Sequence, residues 1–239
     1  MNFTKLFVTS LMAACCLLLP SAAAADPVLF QVDTFEGGSQ GWFTGGPFAT
    51  PQPAAVVSGG PTGNFMLLTA VGGAGPNSRL SVLNASQWTG NYIAAGVNVI
   101  TMDLNNFGAT DLYLRLMFED PMFGPPTNVA FSTAPVFLAA GGGWTSVSFL
   151  VWPGSLTPGL GTVNAALTGA TAIRIYHSQN PGFPNPVVPI PPISAQLGVD
   201  NIRAAAIPEP ATMLLLGTGL AGVAAKVRRR RKVAKCEEA

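Results

Sequence analysis

Between Asp26 and Ile207 the sequence has no cysteine and no lysine, and it has a single histidine, His177. Without cysteine, this stretch cannot form a disulfide, a thiolate metal site or a cysteine nucleophile. A zinc hydrolase is also excluded, because one histidine cannot supply the paired ligands of such a centre. Four arginines stand against eight acids here. The net charge is therefore negative, which excludes a nucleic-acid-binding domain.

The same stretch also lacks the hydrophobic period of an amphipathic helix, and apolar side chains instead alternate with polar ones. In LYLRLMFE (112–119), for example, Leu and Phe side chains share one face of a strand, and Tyr113 and Arg115 share the other. About nine such strands, separated by turns rich in Gly and Pro, predict antiparallel sheets packed face to face. We expect an all-β fold, an antiparallel β-sandwich over residues 26–206.

The first 25 residues have the parts of a secretory signal peptide. A positive residue precedes the apolar run 6–19, and the small residues 21–25 suit signal peptidase. Two alternatives stay open: an anchor helix that is not cleaved, and a lipoprotein attached through Cys15, since residues 12–15 are similar to a lipobox. The signal peptide predicts export of the chain that begins near Asp26.

Residues 207–239 combine a proline-rich tripeptide, an apolar run and a basic cluster. The tripeptide is Pro208-Glu209-Pro210, and residues 211–227 after it predict a transmembrane helix. The basic tail, 228–239, opens with a stop-transfer cluster that consists of Arg228, Arg229, Arg230, Arg231 and Lys232. Because such clusters stay on the cytoplasmic side, residues 26–206 should lie outside the cytoplasm, in agreement with the signal peptide.

This tripartite order resembles the PEP-CTERM sorting signal. The resemblance implies recognition by exosortase, a membrane-embedded cysteine transpeptidase of Gram-negative bacteria that make exopolysaccharide and biofilm. Exosortase would cut near the PEP tripeptide. The chain would cross the inner membrane, be held there by its C-terminal helix, and end at the cell surface or in the extracellular matrix. An ordinary C-terminal anchor with a chance PEP tripeptide is the alternative.

Three fragments of the middle segment are similar to galactose-binding-like jelly rolls, which occur in carbohydrate-binding modules. They are VDTFEGGSQGW (32–42), the pair ITMDLNN (100–106) and LYLRLMF (112–118), and LGVDNIRA (197–204). The resemblance narrows the expected β-sandwich to a jelly roll.

In such jelly rolls a structural calcium ion often ties the first strand to the last. The resemblance places its ligands here at Asp33 or Glu36 and at Asp200. Asp200 also lies between apolar neighbours, where a carboxylate is costly to bury unless it is paired. The alternative is that Asp200 caps a turn or faces water.

Candidate carbohydrate-binding residues are aromatic side chains near polar ones. Trp88 and Tyr92 lie in the polar stretch SQWTGNY (86–92), which predicts an exposed pair. Tyr113 and Arg115 share the face opposite the leucines, which we expect to form a concave binding surface. For each aromatic ring the alternative is packing in the core.

The residues favour a non-catalytic exported surface or extracellular-matrix protein that is associated with exopolysaccharide or biofilm. A lectin-like carbohydrate-binding module is the main alternative. A secreted hydrolase is the minor one, because a glycosidase needs two carboxylates at catalytic separation. The closest acids, Glu119 and Asp120, precede Pro121 in a predicted turn, where solvated acids are ordinary. The six prolines between 180 and 194 predict a loop.

Overall fold

A computed structural model of the chain describes residues 26–45, 50–75, 77–122, 125–180 and 190–207, together with Thr218. The predicted signal peptide, the PEP tripeptide and the basic cluster lie outside the described residues, as does most of the proline-rich segment. In the part of the chain that is described, no helix is both long enough and apolar enough to cross a membrane.

The strands form two sheets of unequal size. The smaller sheet contains β1 (Val32–Asp33), β4 (Ala55–Ser58), β5 (Asn64–Val71), β7 (Val99–Asn106), β11 (Thr145–Leu150) and β14 (Ser194–Ala205). The larger sheet contains β2 (Trp42–Thr44), β3 (Gln52–Pro53), β6 (Ser81–Asn84), β8 (Leu112–Asp120), β9 (Asn128–Ser132), β10 (Val136–Leu138), β12 (Leu156–Leu160) and β13 (Ala172–His177).

All strand pairs among the described residues are antiparallel, and the chain passes repeatedly from one sheet to the other. The smaller sheet has the order β11-β7-β14-β5-β4, and β1 also pairs with β14. The larger sheet has the order β12-β9-β8-β13-β6-β2-β3, and β10 also pairs with β8. The predicted all-β sandwich of the jelly-roll type is confirmed.

The last strand, β14, lies in the middle of the smaller sheet. It pairs with β7 on one side and, on the other, first with β5 and then with the first strand, β1. The register shifts between Asp200 and Arg203, and Asn201 has a positive φ of 52° within this irregularity. The strand changes partner at this bulge, so Asp200 lies where the two ends of the domain meet.

The core lies between the inner faces of the two sheets. Leu112, Leu114, Leu116 and Phe118 are completely buried there, as their alternation in the sequence predicts. Burial of one such side chain contributes about 1.5–3 kcal/mol. The smaller sheet supplies the opposite layer, with inward side chains that include Met66, Leu68, Ile100, Met102, Leu197 and Val199.

One short α-helix, α1 (Val163–Thr168), closes one end of the described sandwich. The hydroxyl of Thr162 caps it by accepting a hydrogen bond from the Ala165 amide at 3.1 Å. Its buried Leu167 packs into the core. The helix is too short to show a hydrophobic period, which is why the sequence pattern did not reveal it.

Candidate functional site

Trp88 and Tyr92 are completely buried, so the expectation that they form an exposed pair is wrong. The indole Nε1 of Trp88 donates to Asp33 Oδ2 at 2.7 Å, and the Tyr92 hydroxyl donates to the Trp88 carbonyl at 2.7 Å. The Tyr92 ring packs edge-on against Phe118, with 4.8 Å between centroids. Both aromatic side chains satisfy their polar atoms inside the core, and the polar neighbours in the sequence are turn residues around them.

Asp33 is the acceptor that makes this burial possible. Its carboxylate accepts hydrogen bonds from the indoles of Trp42 and Trp88, at 2.6 and 2.7 Å, and from Gln87 Nε2 at 3.0 and 3.2 Å. The side chain is 4% exposed and points into the sandwich. Asp33 therefore holds two core indoles and does not lie beside Asp200.

Glu36 and Asp200, in contrast, both border the turn 59–63. Glu36 accepts hydrogen bonds from the backbone and side-chain amides of Asn64, at 2.8 and 3.2 Å. Asp200 is buried and accepts from Thr62 Oγ1 at 3.1 Å and from the Asn201 amide at 2.7 Å. The structure thus brings two of the three predicted calcium ligands to one turn.

The surroundings of Asp200 disfavour the charged form of its carboxyl group. Desolvation is the main reason that its pKa is raised, and the charge of Asp103 raises it further, against the opposing hydrogen bonds from Asn201 and Thr62. Asp103 itself accepts hydrogen bonds from Ser146 and Asn201. Within the described residues, no group of three or more His, Cys, Asp or Glu side chains gathers as a metal site would require. Calcium could also use hydroxyl and carbonyl oxygens of the turn, so the calcium site stays a prediction.

Arg115 is buried, and all three nitrogen atoms of its guanidinium donate to the backbone. It donates to four carbonyl oxygens at 2.7–3.1 Å, those of Ser132, Thr133, Ser178 and Gln179. Tyr113 is half-buried, and its ring lies 5.3 Å from that of Phe137. The expected concave surface at Arg115 is therefore wrong, because the segments 132–133 and 178–179 cover this part of the face.

A cleft of about 340 Å³ opens beside the covered part of the larger sheet. Its lining includes Arg79, Arg174, Ser81 and Gln52, and none of the described lining residues is an acid. Arg79 is exposed at its rim and donates through Nε to the Ile190 carbonyl at 2.5 Å. The lining of the cleft therefore combines neutral hydrogen-bonding side chains with positively charged arginines.

Arg174 forms the floor of this cleft. It donates through Nε and Nη2 to the two carboxylate oxygens of Glu119, at 2.6 and 3.1 Å, and through Nη1 to Ser81 Oγ at 3.2 Å. Both charged side chains are largely buried. No sequence motif identifies this pair, although Arg174 and Glu119 each lie on the outward face of an alternating strand.

The adjacent acids Glu119 and Asp120 lie at the end of β8 and not in a turn, so that expectation is wrong. Successive side chains of a strand point to opposite faces. Both carboxylate oxygens of Glu119 are bound to Arg174, whereas an Asp120 carboxylate oxygen approaches Gly169. The two carboxylates therefore do not face each other across a cleft.

A family model described as the PEP-CTERM protein-sorting motif matches residues 206–231. The chain thus carries this motif, and the predicted PEP-CTERM sorting signal is confirmed. The motif indicates an exported protein with a C-terminal sorting signal. A comparison with curated proteins finds no match.

Among solved structures, the chain is similar to a family 11 carbohydrate-binding module of a cellulosomal cellulase of Clostridium thermocellum. The identity is 13%, the TM-score is 0.48, and the match covers 76% of this chain and 97% of that one. The same module in complex with a β-1,3-1,4-mixed-linked tetrasaccharide matches at 14% identity and a TM-score of 0.48, over 76% and 98% of the two chains. An agarase matches at 12% identity and a TM-score of 0.40, over 80% of this chain and 24% of its own.

Proposed function

We propose that the chain is a non-catalytic surface or extracellular-matrix protein that exosortase processes and that associates with exopolysaccharide. The observation that carries the proposal is the position of the sorting motif relative to the fold. The matched residues begin at 206, and the last strand, β14, ends at Ala205. Cleavage near the PEP tripeptide would therefore release the sandwich without removing any of its strands.

The fold also holds the chain up to the start of the tripeptide. The Ile207 amide donates to Asn98 Oδ1 at 2.7 Å, next to the pairing of β14 with β7. Only residues 208–210 separate this anchored point from the predicted transmembrane helix, and each residue spans at most about 3.5 Å. Before processing, the sandwich would lie close to the outer surface of the inner membrane, which would place the tripeptide within reach of a membrane-embedded transpeptidase.

The test is the intact mass of the exported chain, together with a Glu209→Ala variant. We expect the detected form to begin near Asp26 and to end near Pro208 to Pro210. Glu209→Ala should leave membrane insertion intact and block processing, because the apolar run is unchanged. Glu238→Ala, in the basic tail, is the matched control and should be processed normally. Retention of the arginine-rich tail in every cell fraction would contradict exosortase processing.

A carbohydrate-binding role is the second candidate function, and the arginine-lined cleft favours it. Arg79 and Arg174 are two of the four arginines between residues 26 and 207. The charge of Arg174 is balanced by Glu119, whereas Arg79 is free to pair at the rim with a carboxylate or sulfate of an acidic polysaccharide. In affinity electrophoresis with alginate, Arg79→Ala should reduce retardation, and Arg203→Ala on the other sheet should not.

The acidic side chains bear on two further parts of the functional hypothesis, namely hydrolysis and calcium binding. A secreted hydrolase stays the minor alternative, and the opposed directions of Glu119 and Asp120 favour the non-catalytic proposal. Calcium is proposed at the turn 59–63, with Glu36 and Asp200 as its carboxylates. A cation there would offset the repulsion between Asp200 and Asp103.

A further inference from the structure

Three aromatic rings meet above Gly198 on the outer face of the smaller sheet. These rings, the ring cluster, belong to Phe65, Phe107 and Trp144, with centroids 5.1–5.9 Å apart. A Cβ at Gly198 would stand 2.7 Å from Phe107 and 2.9 Å from Trp144. Because Gly198 has no side chain, the rings pack directly against the backbone of β14, and the cluster therefore has a defined position on the sheet.

The ring cluster is only partly covered. Phe65 is buried beneath its neighbours, Trp144 is half-buried, and Phe107 is 45% exposed. Aromatic rings on a protein surface are suited to stack on apolar faces of ligands, and sugar rings present such faces through their C–H groups. The exposed part of the cluster therefore offers an apolar contact area at a fixed place.

A polar group with no hydrogen-bond partner among the described residues lies directly beside the rings. Asn105 pairs in register with Gly198, on the same outer face, and is only 7% exposed. Its side-chain amide makes no hydrogen bond to any described residue. In contrast, every fully buried side-chain nitrogen or oxygen of the described residues has a hydrogen-bond partner. The atoms of this amide that reach solvent are therefore available to a ligand that lies over the rings.

A groove of about 430 Å³ continues from the ring cluster along the sheet. Its lining includes Thr69, Thr110, Ser194 and Gln196, and no described residue that lines it is charged. Gly108, which also lines it, directly follows Phe107, and the Phe107 amide donates to the Gln196 carbonyl at 3.0 Å. The rings and the groove are thus neighbouring parts of one surface, apolar at one end and rich in hydroxyl and amide groups at the other.

We propose that this surface binds a neutral polysaccharide chain. One sugar ring would stack on the exposed face of Phe107 beside Trp144, and the hydroxyl groups of the following units would bond to Asn105, Gln196 and Thr69. The charges nearby oppose an acidic glycan. Asp103 and Asp200 are opposite each other in the register of β7 and β14, on the same outer face. They lie two residues, or about 7 Å, along the strands from Asn105 and Gly198.

This second site is distinct from the arginine-lined cleft and does not rest on it. The two surfaces are centred on different sheets, and the only proposed contact residue that borders both is Thr69, in β5 of the smaller sheet. The ligands that suit them also differ. The cleft presents arginine side chains, whereas the groove and the ring cluster present uncharged groups beside two acids. Variants on each sheet can therefore separate the two hypotheses.

The test is native affinity electrophoresis of the full chain, extracted in mild detergent, against three neutral polysaccharides and one acidic one. The neutral probes are mixed-linkage β-glucan, galactomannan and dextran, and the acidic one is alginate. We expect at least one neutral probe to retard the wild-type chain. Phe107→Ala should weaken that interaction by about tenfold, which corresponds to about 1.4 kcal/mol and lies within the range of one aromatic stacking contact. Asn105→Ala should weaken it to a smaller extent.

Phe137→Ala is the matched control, because Phe137 is an exposed phenylalanine on the larger sheet and should leave the retardation unchanged. A melting curve for each variant verifies its fold, and Trp144→Phe provides a second, conservative alteration of the cluster. The proposal is overturned if no neutral probe retards the wild type, or if Phe107→Ala and Phe137→Ala behave alike. It is also overturned if Phe107→Ala abolishes only self-association. Loss of alginate binding in Arg79→Ala concerns the cleft alone.

Discussion

The outer faces of the two sheets differ in how their polar and aromatic side chains are used. On the larger sheet, Arg115 donates to four backbone carbonyls, and Ile190 packs against Met117, Phe131 and Tyr176. On the smaller sheet, the ring cluster remains partly exposed, and the Asn105 amide has no described partner. A side chain that resembles a binding residue in the sequence is available to a ligand only where the rest of the chain does not already engage it.

Among variants on the two outer faces, we expect the largest loss of stability at Arg115. Arg115→Ala would leave four backbone carbonyls without this donor, and we expect a loss of at least about 3 kcal/mol in the free energy of unfolding. For a domain of this size this corresponds to a decrease of roughly 6–12 °C in the melting temperature. Arg203→Ala, an exposed arginine on the smaller sheet, should change stability by less than about 0.5 kcal/mol. Equal melting temperatures for the two variants would contradict the difference between the faces.

The next effect concerns calcium at the turn 59–63 of the smaller sheet. Calcium at a hundred times its dissociation constant should stabilise the wild type by about 2.7 kcal/mol, and a chelator should remove this gain. Asp200→Asn should gain nothing from calcium. In metal-free buffer the same variant should be at least as stable as the wild type, because burial raises the pKa of Asp200 and makes its charged form unfavourable. Identical melting curves with and without chelator would exclude the calcium site.

A smaller effect on stability is expected at the ring cluster. Phe107→Ala should cost about 1 kcal/mol, because a half-exposed ring loses only its tilted contact with Phe65 and its edge-on contact with Trp144. Thermal unfolding of this variant beside Arg115→Ala measures the difference directly. If Phe107→Ala destabilises the chain as strongly as Arg115→Ala, the ring cluster is a structural element and not an available surface.

The smallest effect is the pH dependence at His177, at the end of the larger sheet. Burial lowers the pKa of this imidazole, whose Nδ1 accepts a hydrogen bond from the Tyr113 amide at 3.0 Å. The unfolded chain therefore binds a proton more readily than the folded one, and stability should decrease as the pH falls below about 6.5. Melting temperatures at pH 7.5 and 5.5 measure this decrease. His177→Gln should lessen the difference between the two values; an unchanged difference would assign it to other groups.

The strand pattern and the sorting signal could both be predicted from the sequence, because both are local. The alternation in β8 identifies Leu112, Leu114 and Leu116 as one face, whatever lies opposite them. The PEP tripeptide, apolar run and basic cluster are likewise read in order along the chain. The fate of Trp88 and Tyr92 could not be predicted in this way, because the acceptor that permits burial of Trp88 lies 55 residues away.

By itself, therefore, the sequence determined the fold class, the inward faces of the strands and the sorting address, since side-chain period and motif order are properties of neighbouring residues. Only the tertiary structure decided which outward faces are covered. Arg115 meets carbonyls that are 17 to 64 residues distant, whereas Phe65, Phe107 and Trp144 converge on Gly198 from three other segments of the chain. Whether an outward side chain is engaged or available depends on such long-range contacts, and no local pattern records them.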